Sequence, residues 1–155
     1  MTRINSAIRP ICLPDEMLLA EHREIKRLPK VLEHSIRSGS IEKIPERFTL
    51  GRGHLIFFLD KMWFIRRRYI WIYNECLRRK FNVKNYLENF QKVSSVYEND
   101  YTPTEEEYHL LIERISQRII ESKKKSWHYA GRPAAKEEIL NMLNNESKCF
   151  VSKEG

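Results

Sequence analysis

The stretch that decides the fold is residues 58–76, FLDKMWFIRRRYIWIYNEC. Its apolar side chains recur at alternating spacings of four and three residues, at Phe58, Met62, Ile65, Tyr69, Ile72 and Cys76. This is the period of one face of an α-helix, so we predict a central core helix that begins at Leu55 and ends at Phe81-Asn82-Val83. Packing explains its aromatic side chains, whereas the basic triplets at 66–68 and 78–80 either follow phosphates or are solvated.

A second amphipathic helix is predicted upstream, from Pro14 to about Leu28, with a proline and two acids in its first turn. Its apolar stripe comprises Met17, Leu18, Ile25 and Leu28. Arg23 and Arg27 stand one turn apart on another face, and Glu24 lies at the boundary between the apolar stripe and the face with the arginines. A carboxylate there meets apolar surface and guanidinium groups, opposed influences that are typical of reacting carboxylates. Glu24 and Arg27 would equally form an ordinary surface ion pair.

The remaining chain predicts two shorter helical segments, one long helix and irregular connections. A helical piece runs from Pro29 to Ile36 and stops at Ser38-Gly39-Ser40. The long helix starts at a capping box of Thr104 and Glu107, and a short helix is expected around 139–143. We therefore expect a mainly α fold, a single compact domain of three principal helices with long irregular loops at 40–50 and 84–103. Residues 1–132 would form that domain and residues 133–155 a C-terminal extension that is not a separate domain.

The composition favours a polyanionic partner. Lysine and arginine number 28 against 21 acids in 155 residues, for a formal net charge of +7 and a pI near 9.4. Nucleic acid is the first candidate. No run of about 18 apolar residues and no signal peptide is visible, so we expect a cytoplasmic protein, nucleoid-associated or virus-encoded, without membrane contact. Three widely spaced cysteines, Cys12, Cys76 and Cys149, indicate neither disulfides nor a metal site.

Residue 2 carries a possible nucleophile. A small side chain such as that of Thr2 generally permits removal of the initiator Met, which would expose an α-amine. The reference pKa of such an amine, about 7.7 to 8.0, leaves a useful unprotonated fraction near neutral pH. Thr2 would equally be the residue that follows Met in many cytosolic proteins.

Several other residues are candidates for DNA binding. Gly51 and Gly53 allow close approach of the backbone to a phosphate or form a plain turn, and His54 either contacts DNA or starts a helix with local hydrogen bonds. Arg114 and Arg118 repeat the one-turn spacing of the first arginine pair. Trp127 lies in a basic and aromatic segment, where it would stack on nucleic acid or dock on the core.

These pieces together resemble the pyrimidine-dimer DNA glycosylase/AP lyase family, the family of endonuclease V of T-even bacteriophages. The matching stretches, in family order, are Met1-Thr2-Arg3-Ile4-Asn5, Leu19-Ala20-Glu21-His22-Arg23-Glu24, Gly51-Arg52-Gly53-His54, Phe57-Phe58-Leu59-Asp60-Lys61, Glu75-Cys76-Leu77-Arg78-Arg79, Phe81-Asn82-Val83, Asp100-Tyr101-Thr102-Pro103, and Arg114 with Arg118. The resemblance covers roughly residues 1–132.

The resemblance implies a repair enzyme that excises the base at ultraviolet-induced cyclobutane pyrimidine dimers. The Thr2 α-amine would form an imine with the sugar, and β-elimination would then cut the strand. Glu24 would stabilise positive charge on the sugar and assist proton transfer. Arg23 would assist at the catalytic centre, and the family's phosphate-gripping and lesion-pocket bases correspond to Arg3, Arg23, Arg27, Arg114 and Arg118. Arg118 stands where a lysine is usual, which changes the contact geometry.

The resemblance also implies that DNA is the partner and that the reaction needs neither a cofactor nor a metal. We expect lesion-containing double-stranded DNA, kinked and with a nucleotide of the opposing strand flipped out, bound by a monomer that needs no cofactor and no metal. Two alternatives stay open from the residues alone. One is a glycosylase/lyase for another damaged or modified base, and the other is a non-enzymatic DNA-binding protein in which Thr2 is incidental.

Overall fold

Helix α4, Met62–Arg78, lies at the centre of the fold. A computed structural model describes residues 4–150 of the chain, apart from the side chain of Glu42. Within that range the elements are α1 (Asp15–Ile25), α2 (Leu28–Ser38), α3 (His54–Phe57), α4, α5 (Glu105–Glu121), the hairpin β1 (Trp127–Tyr129) and β2 (Arg132–Ala134), and α6 (Lys136–Asn144). The predicted mainly α, single-domain fold is confirmed.

The first predicted helix is shorter than expected. Helix α1 ends at Ile25 instead of Leu28, and α2 begins immediately afterwards at Leu28. Pro29 has no N–H for the carbonyl of Ile25, so the α-helical hydrogen bonds are interrupted there. The predicted stop of α2 is confirmed, because Gly39 adopts a left-handed φ of 77° and its N–H donates to the carbonyl of Ile36 over 3.3 Å.

The predicted central helix is divided in two. The single turn α3 precedes α4, and residues 58–61 between them leave the helical path, with Lys61 at φ −120° and ψ 41°. The Lys61 ammonium donates to the carbonyl of Phe57 over 2.8 Å, and Lys61 pairs with Glu98 in an isolated antiparallel bridge. Phe58 and Leu59 stay fully buried through this turn. Because these side chains stay buried, the regular spacing of apolar residues continues from α3 into α4 and does not show that the helix is broken between them.

Helix α5 begins as the capping box predicts. The Thr104 side chain accepts from the backbone N–H of Glu107 over 3.1 Å, and the Glu107 carboxylate accepts from the Thr104 N–H over 3.3 Å. Leu111, Ile115 and Ile119 form the buried stripe, which places α5 on the same apolar cluster as α1 and α6.

The last part of the described chain is packed into the fold. The hairpin turns at Ala130 and Gly131, both with positive φ, as a two-residue turn of this kind requires. Helix α6, expected as a short helix, follows and packs on α5. After α6 the chain returns to its beginning, where the Arg9 N–H donates to the carbonyl of Ser147 over 2.7 Å.

Candidate functional site

The face of α1 that carries the candidate catalytic residues is arranged as the wheel predicts. The apolar residues of the stripe, Met17, Leu18, Ile25 and Leu28, are buried. Arg23 and Arg27 are exposed, and the Glu24 side chain is 24 % exposed at the boundary between the stripe and the arginines. An Arg27 guanidinium nitrogen lies 3.4 Å from a Glu24 oxygen, so the ordinary ion pair is present as well. An acid and an exposed arginine of α1 thus lie near a second exposed arginine, Arg27, in the link between α1 and α2.

The beginning of the described chain lies against the same helix. The backbone N–H of Asn5 donates to the Glu21 carboxylate over 3.1 Å, and the Asn5 side-chain amide donates to the same oxygen over 2.9 Å. Glu21 precedes Glu24 by three residues on α1. Thr2 and Arg3 lie outside the described residues, so the position of the α-amine itself is not described.

A buried ion pair supports this contact from α4. Arg68 donates from Nε to Glu21 over 2.7 Å and from Nη1 to the carbonyl of Ile8 over 2.6 Å. Both charged side chains are almost completely buried. Sequence reasoning missed this pair, although its signal was present. Glu21 lies on the buried side of α1 with Leu18 and Ile25, and Arg68 lies at the edge of the apolar stripe of α4, three residues after Ile65.

The basic triplets on α4 are engaged mainly in protein contacts. Arg67 forms an ion pair with Asp100, and Arg78 donates to Glu75. Arg79 is buried between Asp15 and Glu75, with Nη1 2.9 Å from an Asp15 oxygen. These contacts favour a structural role over tracking of phosphates. Burial raises the pKa of Glu75, but hydrogen bonds from the arginines outweigh it and hold that pKa below its ordinary value.

His54 is turned toward the protein interior. Its side chain is buried, Nε2 accepts from the N–H of Ile4 over 3.1 Å, and Nδ1 lies 3.0 Å from the carbonyl of Thr49. It is the first residue of α3. The contacts favour the alternative of a locally bonded helix-start residue, and they leave no ring nitrogen directed at a phosphate. His54 is therefore not part of the DNA interface proposed below.

The two glycines before His54 form a turn. Gly51 and Gly53 both have positive φ, 80° and 84°, a region that costs other residues free energy. A Cβ added at Gly53 would lie 3.4 Å from Pro45. The plain turn, one of the two alternatives predicted, accounts for both glycines, and any DNA contact of this exposed turn is a proposal.

A cavity of about 350 Å³ opens between residues of α1 and α5 beside the apolar cluster that the two helices share. Asn5 borders it at one side, Met17 and Ala20 of α1 at another, and Arg118 of α5 with Lys124 at a third. Arg114 and Arg118 are both exposed. The structure therefore brings Arg118 beside the start of the described chain and α1, whereas Arg23, Glu24 and Arg27 do not line this cavity.

Trp127 also borders the cavity but is 4 % exposed and packs in the apolar cluster of α1, α5 and α6. Its indole nitrogen is buried without a hydrogen-bond partner among the described residues. Docking on the core, the alternative to stacking on DNA, is what this burial favours. Trp127 shapes the wall of the cavity rather than offering a free ring face.

No metal or membrane site emerges from the described part of the chain. Among residues 4–150, no three His, Cys, Asp or Glu side chains gather as a metal ion requires. None of the helices described is long and apolar enough to cross a bilayer.

Cys12 and Cys76 are free and buried, and burial raises the pKa of the Cys76 thiol to about 11.

A helical domain with a net charge of +7 that exposes arginines beside an accessible carboxylate has the character of a protein that binds a polyanion such as DNA. The sequence model of the family described as pyrimidine dimer DNA glycosylase matches residues 1–89 of the 155. The chain therefore belongs to the pyrimidine dimer DNA glycosylase family, and it is a DNA repair glycosylase whose substrate is DNA. The match includes α1 to α4, while α5, the hairpin and α6 lie beyond it.

Proposed function

We propose that the protein is a bifunctional glycosylase and AP lyase that acts at cyclobutane pyrimidine dimers in double-stranded DNA. Family membership supports the glycosylase part. The observation that carries the mechanism is the hydrogen bond from the Asn5 N–H to Glu21, because it ties the start of the chain to the helix of Glu24. In this proposal the α-amine, three residues before Asn5 in the chain, reaches a sugar bound beside Glu24.

The proposed reaction begins at the α-amine of Thr2. The nitrogen lone pair attacks C1′ of the damaged nucleotide, the bond from C1′ to the base breaks, and the base leaves with that electron pair and takes up a proton. The nitrogen gives up one of its protons, the bond from C1′ to O4′ breaks, O4′ takes up a proton, and the nitrogen lone pair forms the C1′=N bond of a protonated imine, which acidifies the protons on C2′. Loss of a C2′ proton then expels the 3′ phosphate by β-elimination, and water hydrolyses the imine to release the enzyme.

The residues of α1 and α5 have separate parts in this proposal. Glu24 stabilises the positive charge that develops on the sugar and assists the proton transfers, and Arg23 acts beside it. Arg3, Arg27, Arg114 and Arg118 hold phosphates on either side of the lesion, where guanidinium groups bond two oxygens at once. The cavity beside Arg118 is large enough for a nucleobase of the opposing strand that is flipped out of the stack. No subunit partner is needed for these contacts.

Borohydride trapping tests the proposal directly. Sodium borohydride reduces an imine to a stable amine, so reaction with a dimer-containing duplex should leave the protein covalently attached to DNA through residue 2. Peptide mapping by mass spectrometry identifies the attached residue. Absence of an adduct, or attachment elsewhere, overturns the proposed mechanism. A panel of duplexes with other damaged bases shows at the same time whether the dimer is the preferred lesion.

A matched pair of variants separates catalysis from binding. Glu24→Gln should abolish base release and leave the Kd for DNA within about twofold, since the amide keeps the size of the side chain but not its charge. Glu33→Gln is the control, because Glu33 is an exposed acid on α2 that pairs with Arg37. A Glu24→Gln variant that cleaves at the normal rate removes Glu24 from the mechanism.

A further inference from the structure

Two consecutive backbone N–H groups at the start of the described chain are held by buried side chains. The Ile4 N–H donates to Nε2 of His54 over 3.1 Å, and the Asn5 N–H donates to Glu21 over 3.1 Å. All four residues are at most 4 % exposed. His54 belongs to α3 and Glu21 to α1, so the segment is bonded to two different elements. We call His54 and Glu21 the two anchors of this segment. Rotation of the segment about its bond to one anchor is opposed by its bond to the other.

The His54 anchor is itself fixed in one orientation. A ring nitrogen that accepts from Ile4 carries no proton, so the proton is on Nδ1, where it bonds the carbonyl of Thr49 over 3.0 Å. This tautomer is assigned from the partners. The ring also meets the edges or faces of Phe48 and Phe58 at interplanar angles of 85° and 87°. Such packing leaves the acceptor little freedom to move.

The Glu21 anchor connects the segment to the helix of the proposed catalytic carboxylate. Arg68 holds both Glu21 oxygens, over 2.7 Å and 3.1 Å, and also bonds the carbonyl of Ile8. In an α-helix, Glu24 lies only about 4.5 Å further along the axis than Glu21. The distance from Asn5 to Glu24 is therefore set by the Asn5–Glu21 hydrogen bonds and the geometry of a single helix.

We infer that His54 and Glu21 are positioning residues for the amine of the chain start. They act through the N–H groups of Ile4 and Asn5 and not by touching DNA. The inference rests on the proposed function, in which that amine is the nucleophile. A displacement of about 1 Å in a reacting group can cost on the order of a hundredfold in rate, so two anchors within three residues of the nucleophile matter to the chemical step.

The test compares two substitutions at His54. His54→Phe keeps an aromatic ring between Phe48 and Phe58 but removes the acceptor for the Ile4 N–H. His54→Gln offers an amide oxygen near the position of Nε2 and restores an acceptor. The measurements are the single-turnover rate of borohydride-trapped adduct at saturating DNA, the Kd for DNA, and the Tm. We expect His54→Phe to slow adduct formation about tenfold or more with Kd within about twofold, and His54→Gln to recover most of the rate.

A second variant tests the same inference with both anchors intact. One glycine inserted between Thr2 and Arg3 leaves His54 and Glu21 unchanged and displaces the amine by one residue. It should slow adduct formation at least as much as His54→Phe, with Kd and Tm near the wild-type values. If His54→Phe does not fold, an unchanged rate of adduct formation in the insertion variant still overturns the inference.

The outcomes separate the two proposals. If the wild-type protein gives no adduct, the proposed function fails, whatever the variants do. If the wild type is trapped and the glycine insertion or the folded His54→Phe variant is trapped at the same rate, the positioning role is overturned. Equal losses in His54→Phe and His54→Gln, with equally lowered Tm, would show a structural role only and also overturn it.

Discussion

Arg68 of α4 donates to Glu21 of α1 over 2.7 Å, and their side chains are 1 % and 0 % exposed. The pair joins α1 to α4, which pack against each other. Glu21 also accepts the hydrogen bond from the Asn5 N–H. Removing two charges from water is costly, and only close mutual hydrogen bonding offsets that cost. The pair is therefore sensitive to the loss of either member.

Arg68→Met should destabilise the protein by about 3 to 5 kcal/mol, because it leaves the Glu21 carboxylate buried without its partner. Urea unfolding followed by circular dichroism measures the change. The neighbouring Arg67 provides the control, since it pairs with Asp100 at the surface, where both side chains are more than half exposed. Arg67→Met should cost at most about 1 kcal/mol. Equal losses at the two positions would contradict the assignment.

Ile139→Ala should reduce stability by about 2 to 5 kcal/mol, although it lies in the C-terminal extension. Ile139 is completely buried on α6, in the cluster that includes Ile115 and Trp127. Thermal and urea unfolding measure the loss. Asn141→Ala, an exposed position on the same helix, should stay within about 0.5 kcal/mol of the wild type. A small effect of Ile139→Ala would mean that α6 is dispensable to the core.

Glu107 should give the stability a dependence on pH. Burial raises its pKa above the ordinary value of 4.5, although bonds from Ser6, Tyr101 and Thr104 act in the opposite direction. The folded protein then keeps a proton that the unfolded chain loses. The stability contributed by this group is complete below about pH 4.5 and is lost as the pH rises toward the folded pKa.

Glu107→Gln removes this dependence because the amide stays neutral and can still serve the capping box. The free energy of unfolding of the variant, relative to wild type, should rise as the pH increases above the ordinary value of 4.5. Unfolding curves at several pH values measure it. Glu106→Gln, at the adjacent exposed position, should show no comparable rise. A constant difference between Glu107→Gln and wild type would refute the sign argued here.

The parts of the structure that the sequence predicts are local. The buried stripe of α1 with exposed Arg23 follows from the helical period, and the capping box at Thr104 depends on residues three apart. Both are confirmed. The glycine stop of α2 is confirmed for the same reason, since a single residue with positive φ suffices to end a helix.

The parts that sequence reasoning missed depend on distant residues. The break between α3 and α4 preserves the burial of Phe58 and Leu59, so periodicity continues through it. The partners Glu21 and Arg68 are 47 residues apart, and nothing in either helix alone indicates that they meet. For His54 the sequence left a helix start and a DNA contact open, and it did not indicate the bond to Ile4, which spans 50 residues. The local sign of such a pair is a charged residue on the buried side of a helix, as Glu21 is on α1.

Arg118→Gln should weaken binding to any duplex, damaged or not, because a phosphate contact carries no information about the lesion. Removing one phosphate contact lowers the slope of log K against log salt by about 1. Fluorescence anisotropy between about 50 and 200 mM salt measures the slope. Arg67→Gln is the matched control, because Arg67 is exposed and ion-paired on α4 and does not line the cavity beside α1. If Arg118→Gln and Arg67→Gln reduce the slope equally, Arg118 contributes no more to DNA binding than an arginine away from the cavity. If Arg118→Gln leaves the slope unchanged, Arg118 does not contact a phosphate.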